Sequence, residues 1–384
     1  MSPPSLSMEA RTETRLHTPD IPLEIVMTIL ELLYYDDHSE VDIAILKSCS
    51  LVCRAWTMPT QRLLFRHVTL KNQRALESFV DAIDRSTFQG CVRGDAVRRL
   101  RVTIDRNDPL GINQQSFALG VSLCPNLTGL SLALYGGTHI VESRVGRAAP
   151  LFDEQTVQNL TSGPAISELE FDNWSESEEA TAQVLHIWPT LKSLSIRGTT
   201  PQLSSTLSDP FPCSLETLRL NFQTAPSDDY LKWLLHNSSE SLRALEFERE
   251  PSLHLLEHLL TSHSATLQSL SLPSVTSEKQ ASIIQQCSQL RELKTESPSA
   301  LKHLYAKLPE TLEHMAFGVD KDSELRHVLG AVKGTRTLKT VVIQIWTGGE
   351  LHDLSKLKIE CAWRGMYLKT NPVRLLRPLT RKAW

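Results

Sequence analysis

The sequence predicts an α/β protein: a short N-terminal helical module, then a solenoid of strand–helix units with parallel strands on its concave face. Three observations predict it. A pattern L-x-x-L-x-[LIF] recurs along most of the chain at nearly constant spacing. Between its copies lie stretches with helical periodicity. Ahead of it, residues 20–66 begin with a helix-start signal and carry more apolar residues than one core-facing stripe requires.

In chain order, residues 1–19 are polar, rich in Pro, Ser and Thr and aperiodic, which reads as a disordered lead-in. Asp20 can cap a helix that follows. Pro22 suits a first helical turn, and Glu24 sits where the positive end of the macrodipole favours a carboxylate. Ile21, Ile25, Ile29 and Leu32 then mark one face, and Val26, Leu30 and Leu33 a neighbouring one. In a segment too short for a sizeable core, the second face is expected to bury in a partner. Asp36-Asp-His-Ser39 separates this helix from a second beginning near Glu40. Leu46, Leu51, Val52, Ala55 and Trp56 continue the apolar pattern, and Thr57-Met-Pro59 is expected to start a third helix running through Leu63, Leu64 and Phe65.

Beyond residue 67 the recurring unit begins at Leu127, Ile166, Leu191, Leu215, Leu242, Leu267, Leu290, Leu312 and Leu338, each copy preceded by a small or polar residue. Val97-Arg-Arg-Leu100-Arg-Val102 and His67-Val-Thr-Leu70 read as earlier members. Successive starts from Leu127 lie 39, 25, 24, 27, 25, 23, 22 and 26 residues apart. All but the first gap match the spacing of leucine-rich repeats. Asp228 to Leu235, Leu253 to Leu260, Lys279 to Gln286 and Glu324 to Val332 read as the intervening helices, and a strand plus a helix per unit stacks into a curved solenoid over 67–368. The pattern is degenerate: the usual Asn after the strand is mostly missing. Leu301-Lys-His-Leu304 comes too soon after Leu290, and residues 135–165 look like an insertion. Residues 369–384 read as a basic tail, with Arg374, Arg377, Arg381 and Lys382.

Composition narrows the function classes. The 384 residues are 41% hydrophobic and 22% charged, with a formal net charge of -4, so no global field attracts polyanions. The seven cysteines are scattered without a C-x-x-C pair, which reads as reduced, buried thiols of an intracellular protein. No basic and apolar leader opens the chain, and no run approaches the ~18 apolar residues that span a bilayer. Cytoplasm, nucleus or both are the expected locations, with no membrane partner.

Ile21-Pro22-Leu23-Glu24, the apolar helix to Leu33, and Leu51-Val52-Cys53-Arg54-Ala55-Trp56 together resemble the F-box family. An F-box followed by irregular leucine-rich repeats is similar to a common fungal arrangement. The resemblance implies the substrate-recognition subunit of a Skp–cullin–F-box ubiquitin ligase. The F-box would dock on the Skp-type adaptor, and through it cullin, while the repeats hold a target protein for ubiquitination. It further implies a non-catalytic chain without cofactor, since ubiquitin transfer belongs to other subunits. Carried over by position, adaptor contact falls on Ile21, Pro22, Ile25, Val26, Ile29, Leu30, Leu33, Leu51, Val52 and Trp56. The same residues could instead form the module's own core. An alternative function is a scaffold that binds the adaptor without cullin, outside ubiquitination.

Two constellations could suggest catalysis or metal. His254-Leu-Leu-Glu257-His258 places two His on one helical face with a carboxylate between them, the spacing of an inverted zinc-protease motif. It falls inside a repeat helix whose leucines are needed for packing, and no third ligand is apparent. Cys49 and Cys53 are one helical turn apart, again without further ligands, so no metal is expected.

The residues flanking each inward strand Leu point to the concave face. They include Glu168, Glu170 and Asp172, then Arg197, Arg219, Glu246 and Glu248, an alternation of acidic bands with scattered Arg. Nucleic acid would require a sustained basic stripe with stacking aromatics, so no nucleic-acid partner is expected. A target protein with a basic segment suits the surface better. Trp174 and Trp346 are expected just past strand ends, as hot spots or loop anchors.

Overall fold

The computed structural model describes residues 21–35, 41–136, 152–175, 179–203, 209–298, 302–320, 323–346 and 353–372. The expected lead-in, the 36–39 break and the four basic residues of the expected tail lie outside them. The chain divides into two compact units, Met1–Leu64 and Phe65–Trp384.

The first unit holds α1 (Leu23–Leu32), α2 (Ile43–Ser50) and α3 (Arg54–Leu64). Pro22 occupies the cap position of α1 rather than its first turn, and its carbonyl accepts the amides of Ile25 at 3.0 Å and Val26 at 3.2 Å. Asp42 caps α2 by accepting from the Ile45 amide at 2.9 Å. The third helix begins three residues before the expected start, so Pro59 lies inside it. A Pro there removes one backbone hydrogen bond. The Thr60 hydroxyl, one residue on, donates to the Trp56 carbonyl at 2.7 Å. Val26, Leu30, Tyr34, Leu46, Cys49 and Leu63 form a small buried core, with Leu33, Ile45 and Trp56 packed against it.

The second unit is α/β. Among the described residues its strands are β1 (His67–Leu70), β2 (Arg99–Asp105), β3 (Gly129–Gly136), β4 (Glu168–Ser175), β5 (Ser193–Gly198), β6 (Thr217–Phe222), β7 (Ala244–Phe247), β8 (Ser269–Leu272), β9 (Glu292–Thr295), β10 (His314–Val319), β11 (Thr340–Ile345) and β12 (Tyr367–Pro372). They form one sheet in strict sequence order, and every neighbouring pair is parallel. Between them run α4 (Gln73–Ala82), α5 (Phe88–Ala96), α6 (Gln114–Ser122), α7 (Glu154–Thr161), α8 (Glu179–Ile187), α9 (Asp228–Leu235), α10 (Leu253–His263), α11 (Glu278–Gln285), α12 (Lys302–Ala306), α13 (Arg326–Gly334) and α14 (Leu354–Trp363).

The register follows the sequence pattern. Leu130, Leu169, Leu194, Leu218, Leu245, Leu270, Leu293, Met315, Val341 and Leu368 stand in one row across β3 to β12. They pack with the helices' apolar faces in one continuous core. Alternation along each strand leaves the next residues on the opposite, open face. Asn72, Thr87, Asn113, Asp153, Ser227, Ser252 and Ser277 cap their helices, the last in a reciprocal box with Gln280. The polar residue before each copy also has a use. Thr190, Ser241, Thr311 and Thr337 donate their hydroxyls to the carbonyls of Ile166, Leu215, Leu290 and Leu312, the first core residue of the preceding unit, at 2.8–3.0 Å.

Four expectations are corrected. The segment 135–165 is not wholly an insertion: its described residues contain the end of β3, the buried Phe152 and a repeat helix, α7. Phe152 stacks on Phe117 at 5.8 Å between ring centroids. The motif begun by Leu301 is helical from its second residue, since α12 covers 302–306. Lys369 belongs to β12 rather than to a tail. Cys53 is exposed and Cys91 half-buried, so only five of the seven thiols are buried. Among the described residues no helix is long and apolar enough to cross a membrane.

Candidate functional site

The apolar residues of the first unit divide into two sets. Val26 and Leu30 are buried in its own core, which corrects their assignment to a partner-facing surface: at one turn's spacing they close the contact between helices. Leu33 and Trp56 pack against the same core, and Ile29 is half-buried. Pro22 is exposed. Ile21, Ile25, Leu51 and Val52 are 49%, 51%, 85% and 64% exposed. Leu51 and Val52 fall at the break between α2 and α3, where no helical turn folds them inward. Leu23, Leu32 and Ile43 are exposed as well, beyond the contacts that the resemblance implies. Leu32 belongs to the apolar face marked by Ile21 and Ile25, a signal that could have included it.

On the second unit the open face carries all the expected target-binding residues, and the register pairs most of their charges. Arg99 reaches across Gly129 to Glu168, and Arg101 reaches across Ser131 to Glu170 at 3.9 Å. Arg197 lies 3.8 Å from Asp172 and 3.3 Å from Glu248, while Arg219 lies 3.4 Å from Glu246 and against Glu248. Arg197 Nε, both Nε and Nη2 of Arg219, and Glu248 Oε1 are buried without an aligned hydrogen bond, so charge attraction rather than directed bonding holds this cluster. Asn221 donates to the other oxygen of Glu248. The acidic bands expected from the sequence are therefore mostly neutralised by the scattered arginines, which lie one or two strands away.

Asp172 is only weakly compensated. Burial pushes its carboxyl above the usual carboxylate range, against the opposing pull of Arg197. Glu296 shifts the same way, by burial and then by repulsion from Glu248. Trp174 lies inside β4, not past its end, and is exposed on the open face beside Tyr135 of β3, its register partner. A Cβ on Gly198, which has φ 93°, would fall 3.3 Å from Cδ2 of the Trp174 ring and 2.0 Å from the Asn173 carbonyl oxygen. Trp346 does follow its strand. Its indole N–H donates to the Glu296 carbonyl at 3.2 Å, and the ring fills the place of a side chain on Gly318, which makes it a loop anchor.

The His254 motif lies on α10. His254 Nδ1 contacts Asp228 at 3.0 Å and Glu257 pairs with Lys279 at 2.8 Å, so the motif's carboxylate already has a cation. Cys49 is buried and Cys53 exposed. Among the described residues no group of three His, Cys, Asp or Glu is placed to hold a metal ion. In comparisons with known proteins, no family model matches this chain and no curated protein matches it.

Proposed function

We propose that this chain is the substrate receptor of a Skp–cullin–F-box ubiquitin ligase. Residues 21–64 act as the F-box that docks on the adaptor, and the sheet unit acts as a leucine-rich-repeat solenoid that presents a target on its concave face. The observation that carries the reading is the division of apolar residues in the first unit. Its core needs Val26, Leu30, Leu46 and Leu63, while Ile21, Ile25, Leu51 and Val52 stand exposed at the positions the resemblance assigns to the adaptor. Burying a large aliphatic side chain is worth about 1.5–3 kcal/mol, so a handful of such anchors suffices for a stable complex. No chemistry is assigned to this chain, whose part is to hold a target near the transfer machinery.

The test is capture of the adaptor by the full chain. Ile25→Ala combined with Leu51→Ala should abolish co-purification with the adaptor while circular dichroism and melting stay unchanged. Undiminished capture by that double variant sinks the proposal. Immunoprecipitates blotted for cullin as well as adaptor then separate the receptor from a scaffold that stops at the adaptor.

A further inference from the structure

We propose that the open face of the sheet at Ala133, Tyr135, Asp172 and Trp174 docks a lysine- or arginine-bearing segment of a target protein. The inference rests on the receptor reading above and adds the chemistry of what is received.

The floor of this surface is β3, whose open-face residues before Tyr135 are Gly129, Ser131 and Ala133, all small. Two ion pairs roof the first two of them, Arg99 to Glu168 and Arg101 to Glu170. The third row is not bridged: Thr103, Ala133 and Asp172 stand side by side, and Asp172 turns to Arg197 on the other side. Among the described residues no ion pair crosses the floor from Ala133 onward, where Tyr135 and Trp174 stand next to each other, 41% and 40% exposed. Single exposed apolar residues are ordinary on a protein surface. Two large aromatics in register, both exposed on the open face, are the kind of side chain that contact surfaces favour.

Charge then selects the occupant. Arg99, Arg101 and Arg219 each already hold a carboxylate, so an anionic segment would have to displace one. A cation competes only with the looser 3.8 Å contact of Arg197 to Asp172. It meets Asp172, whose paired arginine stands nearer to Glu248, and Asp105, the register partner of Tyr135 on β2. Burial raises the proton affinity of Asp172, and a cation beside it would favour the ionised carboxylate. The faces of Trp174 and Tyr135 attract a guanidinium or ammonium by their quadrupoles. Trp174 is seated by Gly198, where any side chain would crowd the ring.

The experiment measures anisotropy of fluorescein-labelled nine-residue peptides against the full chain. Each has a Gly/Ser background with three Lys, three Arg, three Glu or no charge. The Lys and Arg peptides should bind and the other two should not. Trp174→Ala and Asp172→Asn should each weaken binding about five- to tenfold, and Trp174→Phe should retain most of it. Equal binding of Lys and Glu peptides, no binding of any, or indifference to both variants overturns the inference. Adaptor capture is read in parallel. Peptide failure with adaptor capture intact refutes this inference alone, whereas failed adaptor capture with peptide binding intact refutes only the receptor reading.

Discussion

Leu30 and Ile25 sit in the same helix but differ in what they cost to truncate. Leu30 is fully buried among Val26, Tyr34, Leu46, Cys49 and Leu63, so Leu30→Ala removes its transfer free energy and leaves a cavity. Such changes cost about 2–5 kcal/mol. Ile25 is half exposed; Ile25→Ala leaves no enclosed cavity and improves helix propensity, so the net effect should stay within about 0.5 kcal/mol. A loss of about 3 kcal/mol raises local opening roughly a hundredfold, at about 1.4 kcal/mol per decade. Hydrogen exchange by mass spectrometry on peptides covering α1, in the full chain, reads this directly. Leu30→Ala should erase most of the protection of 23–33, while Ile25→Ala should preserve it and yet lose the adaptor. Equal loss of protection in both variants would refute the division into core and docking sets.

Four further outcomes concern the sheet unit and the thiols. Gly198→Ala should destabilise by about 1–3 kcal/mol in chemical denaturation, because φ 93° and the Asn173 carbonyl oxygen both exclude a Cβ. Phe152→Ala should cost about 3–5 kcal/mol by the same measurement, which an unstructured insertion would not. At pH 8 a thiol reagent should modify exposed Cys53 readily. Cys124 and Cys287 are pushed by burial up to about 12 and about 11 and should react only after unfolding. Burial lowers the proton affinity of His263, so below its ordinary value near 6.5 the unfolded chain binds more protons than the folded one. Its contribution to stability is therefore whole above that pH and lost as pH falls through it. His314 shifts the same way, so melting temperatures recorded from pH 7.5 to 5 should fall, with a shallower slope in His263→Gln.

Much of the sheet was legible because one periodicity carries it. The second Leu of each unit is the core row of the register, so aligning the units in sequence amounts to pairing the strands. The irregularities were not legible for local reasons. Leu301-Lys-His-Leu304 spells the strand pattern, yet the next strand is supplied by the copy at Leu312, so the shorter match folds as α12. Inside the apparent insertion, the signal for α7 is a capping residue, Asp153, ahead of a run with few apolar positions. Pro59 reads as a helix start because Pro favours first turns, but α3 begins at Arg54, with Trp56 of the earlier turn packed against the core. In the first unit, periodicity reveals two apolar faces on α1 without saying which one the small core takes.

The open face shows where a sequence reading of charge fails. Glu168, Glu170 and Asp172 form an acidic cluster along the chain, but their neighbours in space come from other units, Arg99 as far as 69 residues from Glu168. Adjacent strands are about 4.8 Å apart, so an Arg and a Glu together span two strands when the residue between them is small. Gly129 meets that condition: a Cβ there would lie 3.1 Å from Cγ of Arg99, whose side chain lies flat over the glycine on its way to Glu168. Gly129 and Ser131 thus leave room for Arg99 and Arg101 to reach their carboxylates two strands away. Bridging stops at Ala133 because β2 supplies Thr103 there rather than an Arg; Asp172 stands in that row, and the two aromatics follow in the next. Exposed ion pairs contribute little to stability, about 0–1 kcal/mol each. Their larger effect here is to pair the charges between β2 and β7, so that on the proposed reading recognition falls where the bridging ends.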